Sequence, residues 1–189
     1  MNTVLKDEAP FKHANEALRF AFSFNYGNTS LPPIAKLAGL SGKGRGLSGI
    51  DGAAYSGLVK AHVERLDKHK GWILTARFAP HSEPCGCKSP CCSGARPNKV
   101  WSGAIENLVN YVLVNAGGSR IDHYHLRKAL VGRYFGVRVS FLDISARCGV
   151  DRDTASHRHS KIVACLSIEE KRAMLEVEGN LVEAGLIPS

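Results

Sequence analysis

Residues 140–166, SFLDISARCGVDRDTASHRHSKIVACL, decide how this chain is read. Leu142 and Ile144 open a short helix, Gly149 stands where the chain must turn tightly, and Val150 supplies an apolar plug. Asp151 is a good N-cap, because its carboxylate accepts from the free amides of a second helix running from Arg152 toward Leu166. In that helix Ala155, His159, Ile162, Val163 and Leu166 recur at intervals of three and four and face inward. Arg152, Asp153, Ser156, His157, Ser160 and Lys161 then point outward. Small residues, Ser145 and Ala146 in the first helix and Ala155 in the second, let the pair approach closely. The pattern is that of a helix-turn-helix whose second helix stands clear to enter a major groove. The alternative is a pair of amphipathic helices joined by a glycine turn in an ordinary helical domain. Arg158 and His159 are the discordant residues, since Arg158 falls near the inward face and must carry its charge out of it.

The outward residues suit DNA chemistry. Arg152 can pair bidentately with guanine, and Asp153 can accept from a cytosine amine or orient Arg152. Ser160, Lys161 and His157 can take a phosphate or a base edge. The net charge of +8, from 25 Lys and Arg against 17 Asp and Glu, points the same way. The charge is uneven. The tail after Leu166 carries Glu169, Glu170, Glu176, Glu178 and Glu183 against Lys171 and Arg172, so the positive field belongs to the preceding body.

The chain has 189 residues, enough for one ordinary domain or two small ones. Its apolar runs are too short for a membrane span, and MNTVLKDEAPFKH lacks the apolar stretch of a secretory signal. A cytoplasmic setting is expected. Six cysteines are then reduced or metal-bound rather than paired.

Periodicity predicts helices throughout. One spans Glu8 to Phe24 with Ala14, Ala17, Leu18 and Ala21 on one side, and a short element follows the prolines at 32 and 33. The segment SGKGRGLSGIDG, residues 41–52, is glycine-rich and basic; Lys43 and Arg45 reach a phosphate backbone or belong to a plain linker. Asp51 caps a helix with an Ala54, Leu58, Leu66 stripe, and Trp72 to Phe78 forms another that ends before Pro80. Ser102 caps a helix burying Ile105, Leu108, Val109, Val112 and Leu113, which Gly117 and Gly118 stop. Ile121 to Phe135 follows, with Leu126, Leu130 and Tyr134 inward and Arg127, Lys128 and Arg133 as a basic outer surface. Ser167 and Glu170 read as a capping box opening a last helix to Ala184, with Gly185 ending it and Leu186 and Ile187 folding back.

Cys85, Cys87, Cys91 and Cys92 lie close together in EPCGCKSPCCSG, residues 83–94. Four thiols among Pro and Gly can converge on one soft ion, which predicts a structural Zn2+ site. The adjacent pair Cys91 and Cys92 strains tetrahedral ligation, leaving His81 as a substitute fourth ligand. Thiols in a surface loop without metal are the alternative. Cys148 and Cys165 fall at core-facing places as small hydrophobes. A metal-dependent enzyme is a weaker reading, because neither the His123 and His125 pair nor His157 and His159 has hydrolase spacing.

The expected class is therefore all-α, a multi-helix domain containing a helix-turn-helix with an inserted cysteine-rich zinc-binding loop. Residues 1–79 form a helical region, 80–100 the loop, and 101–189 a helical region with the helix-turn-helix at 140–166.

The stretch DISARCGVDRDTASHRHSKIVACL, residues 143–166, resembles the helix-turn-helix of sigma factor region 4. In that family the positions held here by Arg152, Asp153, Ser156, His157 and Lys161 face the groove, and those of Ile144, Val150, Ala155 and Ile162 are core. The departures are Arg158 and His159, where the family has at least one apolar residue, and Ser145, where alanine is commoner. The layout of the whole chain resembles the Q-type late-gene antitermination proteins of bacteriophages, although its cysteine spacing differs from a regular two-pair finger. That resemblance implies a protein that recognises double-stranded DNA near a late promoter and loads onto paused RNA polymerase, contacting sigma factor. A dimeric repressor or activator would use the same helix on two half-sites. The oligomeric state is open at this point.

Overall fold

The computed structural model describes residues 9–24, 49–85, 87, 94–116 and 123–189. The chain divides into two compact units, one of Met1–Leu66 with Leu175–Ser189 and one of Asp67–Met174. Among the described residues no helix is long and apolar enough to cross a membrane.

In the first unit α1 (Ala14–Ser23) begins where the His13 ring accepts from the Glu16 amide. This start lies later than the expected Glu8, which is outside the described residues. Ala14, Ala17, Leu18 and Ala21 are buried as expected, and their small size lets α2 (Gly49–Glu64) come close. The Ser56 hydroxyl donates to the Ala21 carbonyl at 3.0 Å across that seam. Asp51 lies inside the first turn of α2 and not before it. The inward face of α2 carries Val59 and Val63, while Leu58 is 50 % exposed. Apolar residues all round this helix hide its phase from a sequence reading. The expected short element at 31–40 lies outside the described residues, as do Lys43 and Arg45.

The second unit holds α3 (Lys68–Phe78), β1 (Ser82–Pro84), β2 (Ala95–Pro97), α4 (Lys99–Asn115), α5 (Tyr124–Tyr134), α6 (Phe141–Cys148) and the start of α7 (Arg152–Glu183). Its core gathers Ile73 of α3, Leu108 and Val112 of α4, Leu130 of α5, Ile144 of α6, and Ala155, Ile162 and Leu166 of α7. The cap of α4 is Asn98, whose side-chain oxygen accepts from Val100 and Trp101 amides, so α4 starts a turn earlier than Ser102 predicted. Leu113 is largely exposed, while the other four expected residues of α4 are buried.

Two expectations are corrected here. The zinc-binding loop is replaced by an antiparallel ladder pairing Ser82 with Pro97, Glu83 with Arg96, and Pro84 with Ala95. Among the described residues no three His, Cys, Asp or Glu side chains come together to hold a metal. Cys85 follows β1 with its amide bound to the Gly94 carbonyl, and Cys87 is exposed. His81 turns toward the Phe135 carbonyl, 3.1 Å away, and packs on Trp101. Cys91 and Cys92 lie outside the described residues. Backbone pairing and the cross-strand Arg96–Glu83 ion pair at 2.8 Å hold the two described strands of this segment together. The second correction concerns Ser167, which caps nothing. Its hydroxyl bonds back to the Ala164 carbonyl, and α7 continues unbroken to Glu183 because no Pro or Gly precedes Gly179 within it. Gly185, at φ +68°, then ends the helix and the Leu186 amide returns to the Leu181 carbonyl at 2.9 Å, as the sequence predicted.

Gly149 joins α6 to α7 at φ +63°, and a Cβ there would meet nothing within 4 Å. Gly149→Ala therefore tests backbone strain alone. Urea unfolding should show a loss of about 1–2 kcal/mol, with Gly149→Asn less affected.

Candidate functional site

The α6–turn–α7 segment is built from local bonds that residues 140–154 make with one another. The Ser140 hydroxyl accepts from the Asp143 amide at 3.0 Å, and the Asp143 carboxylate takes the Ser140 amide and hydroxyl in return. Those two bonds hold the Asp143 carboxyl below its usual range. Gly149 ends α6 in the left-handed conformation, its amide on the Ser145 carbonyl. Asp151 then starts α7, its carboxylate accepting from Asp153 at 2.8 Å and Thr154 at 3.3 Å.

Burial of Ala155, Ile162 and Leu166 sets which side of α7 looks outward. Arg152, Asp153, His157 and Ser160 are exposed, and Ser156 and Lys161 are half-buried. The Ser160 hydroxyl donates to the Ser156 carbonyl one turn back, leaving its lone pairs to accept. The discordant pair resolves in two ways. Arg158 is half-buried, and His159 lies edge-on to Phe141 with its ring centre 5.5 Å away. Among the described residues His159 Nε2 finds no hydrogen-bond partner.

The basic surface expected of α5 is redistributed. Arg127 is only 4 % exposed and belongs to the interior. Lys128 is held by Glu106, which also receives the Tyr124 hydroxyl. Arg133 remains, with its guanidinium 4.3 Å above the Phe141 ring and donating to the Val139 carbonyl.

Arg133 does not stand alone. With Arg138 and Arg152 it lines an open cavity of about 650 Å3, whose wall includes Ser140, Phe141 and Leu142. Arg138 and Arg152 are exposed and Arg133 is pinned, so arginines from α5, the following loop and the start of α7 line one cleft. Leu142, 68 % exposed, forms an apolar lip. Arg138 escaped the sequence reading because it lies in the loop before Ser140. Its signal was the spacing of two arginines, five apart, ahead of a helix cap. The acidic Glu176, Glu178 and Glu183 lie beyond this region on the exposed side of α7.

Compared with known protein families, with characterised proteins and with solved structures, the chain finds no match.

Burial, reinforced by Arg133, lowers the pKa of His159 below its usual value. The neutral ring is favoured in the folded state, so this group's full contribution is present above about pH 6.5. It is lost as the pH falls through the lowered folded value. Urea midpoints should drop on acidification from pH 7 to 5, and less steeply in His159→Leu. The residual slope includes His62, whose pKa is also lowered by burial.

Proposed function

We propose that this chain binds double-stranded DNA, presenting the exposed start of α7 to a major groove and closing the arginine cleft on the neighbouring phosphates. The observation that carries the reading is the convergence of Arg133, Arg138 and Arg152 beside the outward residues Asp153, His157 and Ser160. A guanidinium presents several N–H donors in a fixed fork that matches a phosphate, and three on one concave surface fit a backbone that curves past. Arg152 also stands at the first turn of α7, the position from which a groove-bound helix reads base edges. Leu142 and the aliphatic stems of the arginines supply apolar contact to sugars.

Roles divide accordingly. Arg133 and Arg138 position the duplex, and Arg152 with Asp153 discriminates bases. The resemblance to phage late-gene antitermination proteins extends this proposal to a chain that marks a site and then joins RNA polymerase and sigma factor. A dimeric repressor or activator is the second reading. Selection from a random DNA library separates the two, a single asymmetric site supporting the first and a palindrome the second.

On the selected site, Arg138→Ala should weaken binding to specific and unrelated DNA alike. Its plot of log affinity against log salt should be shallower by about one unit. Arg152→Ala should instead cost about 1–3 kcal/mol of discrimination between the selected site and a mutated one. Unchanged salt slopes in Arg133→Ala and Arg138→Ala, measured by fluorescence anisotropy, would refute the proposed phosphate cleft.

A further inference from the structure

A second cavity, of about 440 Å3, opens in the unit of residues 67–174. Its walls are apolar: Trp101 and Ile105 of α4, Ala129 of α5, Val137 and Val139 of the loop, and Ile144 of α6. The volume falls in the range of small-molecule pockets, about 300–1,000 Å3. The shape is held from several sides. The Trp101 indole N–H donates to the Ala76 carbonyl at 3.1 Å, which spends its one polar group and leaves the ring as an apolar wall. Gly132 admits Val137 closely, since a Cβ there would lie 3.3 Å from the valine methyl.

The ionisable side chains lining this cavity are His125, Lys128, Arg147 and the thiol of Cys148, with no Asp or Glu among the lining residues. Lys128 is already committed to Glu106. Arg147 differs. It is exposed on the last turn of α6, and the carboxylate it acts on, Asp143, is bound to the Ser140 cap. The cavity thus joins an apolar hollow to an exposed arginine whose nearby carboxylate, Asp143, is not among the lining residues. An apolar wall rewards a flat hydrocarbon body, and a guanidinium rewards a planar carboxylate that it can grip with two N–H groups.

We propose that this cavity binds a small amphipathic carboxylate, with an aromatic or similarly flat apolar body against Trp101, Ile105 and Ile144 and its anionic group on Arg147. The inference stands apart from the DNA reading, and its test contains no nucleic acid.

The probes are 2-naphthoate and its neutral counterpart 2-naphthamide, titrated into the full chain and followed by calorimetry and tryptophan emission. Naphthoate should bind saturably, one per chain, and the amide roughly ten-fold more weakly, the difference a charge-assisted pair makes. Arg147→Gln, an exposed substitution whose fold is checked by thermal unfolding, should bring naphthoate down to the level of the amide and leave the amide where it was. Ala129→Leu, which fills the hollow, should weaken both. Three results overturn the proposal: no saturation by naphthoate at millimolar concentration, equal affinity for acid and amide, or naphthoate binding that Arg147→Gln does not change.

Discussion

The buried seam of Ala155, Ile162 and Leu166 is the constraint on which the 67–174 unit turns. These residues rise along one stripe of α7, and each is sealed against the same cluster as Leu108, Leu130 and Ile144. Once that stripe is inside, the opposite side of α7 has no freedom. Arg152, Asp153, His157 and Ser160 must look outward, and Arg152 must arrive beside the segment that delivers Arg138. One turn beyond Leu166, Glu170 extends the lock. Its carboxylate accepts from Nε and Nη2 of Arg77, at 2.6 and 2.7 Å, and from the Tyr134 hydroxyl at 2.6 Å. A single acid so ties α3, α5 and α7 together. Burial, with help from Glu170, pushes the Tyr134 hydroxyl far above its usual range, so it stays a proton donor. A bidentate pair of this kind also fixes direction, and it holds α7 against rotation about its own axis.

What was legible in the sequence was local. Gly149 with its positive φ and Asp151 with its two amides act within a few residues, whereas the Ser140–Asp143 capping box, equally local, was passed over. Each type of residue has few other reasons to stand where it does. Gly185 and the returning Leu186 are of the same kind. What failed depended on partners distant in sequence. Ser167 and Glu170 have the spacing of a capping box, yet Glu170 is spent on Arg77, far back in α3, and nothing breaks the helix between them. Arg127 reads as surface because it is charged, and only the packing around α5 places it inside. The cysteine-rich loop misled through composition: its thiols advertise a metal, whereas the ladder depends on residues 82–84 and 95–97, which carry no strong strand signal. The cleft was half visible, since Arg133 and Arg152 were singled out and Arg138 was not.

Pairing also explains why the net positive charge is not spread evenly over the fold. Glu83 takes Arg96, Glu106 takes Lys128, and Glu169 takes His69 and Arg172. The solvent-facing pairs among these, Lys128 with Glu106 and Arg96 with Glu83, contribute little stability, on the order of 0–1 kcal/mol each. Their effect is on the field. The ion pairs offset charge locally at Arg96, Lys128 and Arg172, whereas Arg138 and Arg152 at the cleft form no ion pair among the described residues.

Val139 belongs to the walls of both cavities, and its carbonyl receives the guanidinium of Arg133. A partition one side chain thick cannot be moved for one chamber only. A methyl group added at this residue takes room from the space it enters, and one removed gives room back, so a single substitution here is felt in both hollows. By linkage, any such influence has the same magnitude in both directions. The valine is thus the residue the two hollows share, although it carries no charge and offers no chemistry of its own.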